Sequence, residues 1–200
     1  MNRRGFLLVT ACGVAQGFQQ KKDETVDPDR KADIYAIYSL MMTNPTTSHG
    51  PGGNDILLIR NKTVRGTPRV PCVGPPPSSP YERDFAEVLA DYNLRMDEGP
   101  VALGYALNIP KNYLLLNETE CGEFMKTREL PPTREIPERF RFSKDLFGLT
   151  DVFFNRRRTL ALTGFSTWCG LLCGGYFWMV FEKTNAGWQQ LPWQACRVIA

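Results

Sequence analysis

The chain has 200 residues, of which 42% are hydrophobic and 22% charged, and its net charge is +3. This length and composition are typical of a globular protein that buries a core, and they argue against a disordered chain. The net charge is too small to predict a nucleic-acid partner or another polyanion. Composition identifies no partner, and we expect no cofactor.

The N-terminus has the pattern of a secretory signal, which predicts a secreted or periplasmic protein. Arg3 and Arg4 precede a mostly apolar run over residues 5–15, and polar residues follow. Three versions are open: cleavage after Ala15, a lipobox that would make Cys12 a lipidated anchor, and a twin-arginine signal. A cytoplasmic N-terminus is the remaining alternative. No later stretch reaches the roughly 18 apolar residues that a membrane span needs.

We expect a signal peptide over residues 1–15, a disordered tether over 16–31 and a single α+β domain over 32–200. The tether is predicted because its residues are polar and charged without an apolar period. Helical spacing of apolar residues predicts helices over 32–43 and 81–96, and an Asn cap predicts a short helix over 117–125. Residues 56–60 predict a strand, whereas 108–116 are ambiguous.

The segment 140–200 should hold most of the core, since it contains thirteen of the 23 aromatic residues and all four tryptophans. Its pattern predicts a β-meander with strands over 151–155, 159–167 and 176–183, a glycine-rich connection over 169–175 and weaker strands over 188–191 and 194–199. The fold class is therefore α+β, with a C-terminal antiparallel β-meander packed on N-terminal helices.

This C-terminal pattern resembles one found in uncharacterised exported bacterial proteins. The matching segments are VFFN (152–155), TLAL (159–162), CGLLCG (169–174), FEK (181–183) and GW (187–188). The resemblance covers about the last fifty residues. It implies export and a shared fold, and it brings no assigned activity.

Cys169 and Cys173 are predicted to form a structural disulfide, because the neighbouring glycines allow the tight turn of a short ring. A redox pair and a zinc site are the alternatives, but thioredoxin-like sites use C-x-x-C rather than C-x-x-x-C. The other cysteines after the signal leave the pairing open. Cys72 with Cys121 would tie a proline-rich crossing to the middle of the chain.

A group of aromatic residues could form a carbohydrate or peptide platform if several faced solvent, although core packing is the commoner outcome. Alternation along one strand places apolar side chains on both of its faces, so that strand is either covered twice or presents a binding surface. The candidate residues are Trp168, Tyr176, Trp178, Trp188 and Trp193.

The sequence predicts no catalytic residue and no metal site. His49 is the only histidine and lies in a glycine-rich loop that is typical of a flexible connector. We therefore expect a secreted, non-enzymatic domain with a structural or binding role. The alternative is an exported thiol-redox protein or hydrolase that uses Cys169 and Cys173, or His49 with nearby carboxylates.

Overall fold

The computed structural model describes residues 27–43, 56–65, 71–128, 135–171, 173–193 and 197–199. His49, Cys12 and the predicted signal peptide lie outside these ranges.

The described part contains three helices and eight strands in one sheet. The helices are α1 (Pro28–Thr43), α2 (Glu82–Arg95) and α3 (Glu118–Lys126), and Glu138–Phe140 forms a 3-10 turn. The strands are β1 (Ile56–Arg60), β2 (Asn112–Leu116), β3 (Leu146–Leu149), β4 (Phe153–Phe154), β5 (Leu160–Gly170), β6 (Cys173–Thr184), β7 (Gly187–Leu191) and β8 (Arg197–Ile199).

The first helix begins earlier than predicted, so the last residues of the expected tether, 28–31, are helical. Pro28 occupies the first helical position, where its fixed φ suits the helix and its missing N–H costs nothing. The Asp27 carboxylate accepts a hydrogen bond from the Asp29 amide at 3.0 Å. The charge and polarity of residues 28–31 predicted a tether, but these residues form the first turn of α1 after the start signal at Asp27 and Pro28.

The other two helices lie close to their predicted positions. In α2, Phe85, Val88 and Tyr92 are buried at the spacing of one helical face. Asn117 caps α3 through a capping box, because its side chain accepts from the Glu120 amide while the Glu120 carboxylate accepts from the Asn117 amide.

The sheet is mixed, with strand order β2-β1-β3-β5-β6-β7. Strand β1 pairs in parallel with β2 and β3, whereas β3–β5, β5–β6 and β6–β7 are antiparallel. The predicted α+β class is confirmed, but the parallel strands at one side were not predicted. The short strand β4 pairs with β5, and β8 pairs with β6.

The predicted connection over 169–175 is wrong, since these residues extend the β5–β6 hairpin. Strand β5 continues to Gly170 and β6 begins at Cys173. Gly174 faces Trp168 across the hairpin, and a Cβ at Gly174 would lie 2.7 Å from the Thr167 carbonyl oxygen. Gly174 therefore allows the two strands to approach closely, and it does not mark a loop.

Helices cover both faces of the sheet. Leu57, Ile59 and Phe181 belong to the cluster on the α1 side, and fully burying a phenylalanine is worth about 2–3 kcal/mol. On the opposite face, α2 packs over Leu162 at one end of β5, and Trp168 packs toward α3 at the other end. Positions 162 and 168 lie on the same side of this strand because side chains alternate.

Candidate binding cleft

A cavity lies beside the C-terminal end of α2. We call the cavity beside α2 the α2 cleft; its volume is about 190 Å³. Its walls are formed by the C-terminal end of α2, the turn that follows it, the segment after β1 and the residues before β4. The lining residues are Thr63, Val64, Arg65, Tyr92, Arg95, Met96, Asp97, Glu98, Gly99, Pro100, Thr150, Asp151 and Phe153.

Arg95 connects the walls of this cleft. Its Nη2 lies 2.5 Å from Asp151 Oδ2, and its Nε lies 3.2 Å from Glu98 Oε2. Its Nη1 donates to the Val152 carbonyl oxygen at 3.4 Å. The guanidinium thus fixes the end of α2 against the crossing between β3 and β4, and its planar set of donors suits such multiple contacts.

Asp151 is held as tightly as Arg95. Its Oδ1 accepts a hydrogen bond from the Val152 amide at 2.9 Å, so both carboxylate oxygens are engaged. Burial raises the pKa of Asp151, and the nearby Arg95 charge opposes that rise. This carboxyl group therefore acts mainly as a fixed part of the wall.

The inner wall is built around Thr150. Its Oγ1 accepts from the Gly164 amide at 2.7 Å, contacts Thr163 Oγ1 at 3.2 Å and donates to the Asp151 carbonyl oxygen at 3.1 Å. The Thr150 carbonyl oxygen accepts from Tyr38 Oη at 2.7 Å. These bonds join the cleft to the core on the α1 side of the sheet.

Arg65 and Asp97 carry charge at the rim. Both are exposed, and neither forms an ion pair with another residue in the described ranges. Asp97 lies close enough to Tyr92 to contribute, after burial, to the raised pKa of that phenol. The rim therefore offers one charge of each sign to an incoming molecule.

The predicted aromatic platform is not present as a shared exposed surface. Tyr176, Trp178 and Trp188 are buried, and they pack in the two large core clusters. Trp168 is half-buried toward α3, and Trp193 is half-buried against the rings of Tyr81 and Phe85. The reason is that helices cover both faces of the sheet, so both faces of β6 are core.

A disulfide joins Cys169 and Cys173, with 5.2 Å between their Cα atoms. Both are half-buried at the hairpin end, where Leu171 is 71% exposed. Cys72 is also disulfide-bonded, whereas Cys121 is a free, buried thiol. The pair Cys72–Cys121 is therefore not formed. Burial raises the pKa of the Cys121 thiol.

Sequence reasoning missed the main residues of the cleft. Arg95 was recognisable only as a cation in the last turn of a helix, and Asp151 as the start of a strand. They are 56 positions apart in sequence. No local pattern links them, because only the pairing of β1, β3 and β5 brings the end of α2 to this crossing.

Within the described ranges, no group of three or more His, Cys, Asp or Glu residues is arranged to hold a metal ion. Over the same ranges, no helix is long and apolar enough to cross a membrane. Comparison with known proteins gives no match to a protein-family model, to a curated protein or to a solved structure.

Proposed function

We propose that the chain is an exported binding domain that holds a small polar ligand in the α2 cleft. The observation that carries this proposal is the Arg95 brace, in which one guanidinium joins Asp151, Glu98 and a backbone carbonyl in the wall of a cavity. Ligand sites are usually largely pre-formed and lined by a few fixed polar groups. The brace supplies that rigidity.

Binding fits the cleft better than catalysis does. A general base needs an oxygen within reach of the substrate proton. Asp151 has a raised pKa, but its two oxygens are already occupied by Arg95 and the Val152 amide. Its geometry therefore favours holding the wall in place over proton transfer.

Size and charge restrict the ligand. A volume of about 190 Å³ is below the roughly 300–1,000 Å³ of drug-sized sites, which indicates a small molecule. Two cationic side chains, Arg65 and Arg95, and three anionic ones, Asp97, Glu98 and Asp151, line the cleft. The excess of negative charge favours a neutral or cationic ligand over an anion.

The binding proposal is tested by an NMR titration of backbone amides. The probes are glycinamide, acetamide, acetate and glucose. We expect at least one probe to shift the amides of residues 63–65 and 96–99 in the wild-type protein. Arg95→Met should abolish the shift. Arg157→Met is the matched control, because Arg157 pairs with Asp84 of α2 at an exposed site outside the cleft lining.

The titration contradicts the proposal if no probe shifts the cleft amides. It also contradicts the proposal if Arg95→Met binds as tightly as the wild-type protein does.

Export is supported by the N-terminal signal pattern and by disulfide-bonded Cys72, Cys169 and Cys173, since disulfides persist in oxidising compartments. The test is the intact mass of the exported protein with and without reduction. A chain that starts near Gln16, or at a lipidated Cys12, is the expected result. An unprocessed chain with free thiols at Cys169 and Cys173 would contradict export.

A further inference from the structure

Two buried hydrogen-bond donors behind the α2 cleft have no partner among the described residues. They are Tyr176 Oη and Trp178 Nε1. The exposed fractions of these residues are 6% and 2%. Burial strongly raises the pKa of Tyr176, so its hydroxyl keeps its proton and remains a donor. Buried polar groups nearly always have a partner, and two neighbouring exceptions therefore require an explanation.

Both donors lie directly behind residues that line the cleft. The Tyr176 hydroxyl lies beside Thr150 without a hydrogen bond to it, and the Trp178 ring packs edge-on against Tyr92 with 5.6 Å between ring centroids. Tyr92 and Thr150 both line the cleft. Positions 176 and 178 are on one face of β6 because side chains alternate along a strand.

Thr150 lies next to the Tyr176 hydroxyl but does not satisfy it. A threonine hydroxyl has one proton and two lone pairs. The proton goes to the Asp151 carbonyl oxygen, the Gly164 amide occupies one lone pair, and Thr163 Oγ1 lies 3.2 Å away. Thr150 is therefore already engaged on both its donor and its acceptor side, and Tyr176 Oη forms no hydrogen bond within the described ranges.

The fold also makes room for this hydroxyl. A Cβ on Gly164 would lie 2.6 Å from Tyr176 Oη, so glycine at this position gives the oxygen its space. A phenylalanine at position 176 would pack in the same cluster without a buried unpaired oxygen. Tyrosine at this position therefore stabilises the core less than phenylalanine would.

We propose that Tyr176 and Trp178 donate hydrogen bonds to the ligand of the α2 cleft, which inserts an acceptor oxygen between Tyr92 and Thr150. This inference rests on the proposed binding function and names its ligand class. Two donors require an acceptor, and the negative excess of the lining disfavours a carboxylate. The ligand class is therefore a small neutral or cationic molecule with a carbonyl oxygen, such as an amide.

The experiment follows the indole N–H signals of the four tryptophans during titration with glycinamide, acetamide and acetate. The three probes have similar size and carry positive, zero and negative charge. Trp178→Phe assigns the Trp178 signal by its loss. We expect glycinamide and acetamide to move that signal downfield, and acetate to bind at least tenfold more weakly.

Tyr176→Phe is the decisive variant, because it removes one oxygen and keeps the ring. We expect it to weaken acetamide binding about tenfold, the effect of one neutral hydrogen bond, while its melting temperature equals or exceeds that of the wild-type protein. Lower stability with unchanged affinity would show that the hydroxyl has a structural role and would overturn the inference.

The two proposals fail in different ways. If cleft backbone amides shift while the Trp178 indole does not move, the cleft binds a ligand but these donors do not contact it. If no probe shifts any cleft amide, both the binding function and this inference fall.

Discussion

Replacing Gly164 with alanine tests the packing that places Tyr176 behind the cleft. Gly164 lies in β5 opposite Trp178 of β6. An added Cβ would lie 2.6 Å from Tyr176 Oη and 2.8 Å from the Phe177 carbonyl oxygen. The second contact is with backbone across a paired strand, so a side-chain rotation cannot relieve it.

The expected effect follows from two opposing terms. Overpacking a buried site costs about 1–3 kcal/mol, and replacing glycine within a strand recovers about 0.5–1 kcal/mol of backbone entropy. The net loss in free energy of unfolding should be about 1–2 kcal/mol. With a urea m-value of about 2 kcal/mol/M, the midpoint should fall by about 0.5–1 M.

Urea denaturation monitored by tryptophan fluorescence measures this shift. Gly122→Ala is the matched control, because a Cβ at Gly122 in α3 has no neighbour within 4 Å. That change should stabilise the protein by up to about 1 kcal/mol, since alanine is the better helix former. Gly164→Ala as stable as the wild-type protein would refute the packing described at Thr150 and Tyr176.

Three further predictions concern other parts of the molecule. Asp33→Ala should cost about 2 kcal/mol, because Trp188 Nε1 donates to Asp33 at 2.8 Å and would lose its acceptor; an equal loss in a Trp188→Phe background would exclude this cause. Replacing Cys169 and Cys173 with serine opens a short ring and should cost about 2 kcal/mol. Ready reduction of the native protein by glutathione, with little loss of stability, would instead favour the thiol-redox alternative. The native state raises the pKa of Asp151, so this group's contribution to stability should decline as pH rises from its ordinary value of 3.8 through its folded-state pKa. Asp151→Asn should flatten that part of a pH series of urea titrations, and an unchanged slope would contradict it.

Local sequence patterns predicted the helices well, because the interactions that form a helix join residues only a few positions apart. The cap at Asn117 and the apolar face of α2 are both visible in the sequence. The start of α1 was not predicted, because residues 28–31 are polar and charged without an apolar period. The local signal for this start is Pro28 directly after Asp27.

The sheet was predicted less well because its order depends on contacts between distant segments. Strand β3 (Leu146–Leu149) is short and buried on both sides, so it shows no alternation that marks a strand. The parallel pairing of β1 with β2 joins residues 56 positions apart. Apolar content therefore indicated that these segments were buried but not which strands they pair with.

The cleft was the least predictable feature for the same reason. The aromatic residues of β6 indicated either a core or a surface, and only the packing of α2 on this face decides between them. Tyr176 and Trp178 pack their rings in this core, and each also carries a polar atom without a partner among the described residues. Composition alone carries no information on which polar atoms lack partners.

A crystal structure of the protein grown with glycinamide tests ligand binding in the α2 cleft. We expect density for the probe in the cleft, with its carbonyl oxygen toward Tyr176 and Trp178 and its ammonium group toward Asp97. Density for the probe only at other surfaces, or a cleft filled by the side chains of Arg65 and Met96, would contradict the binding function.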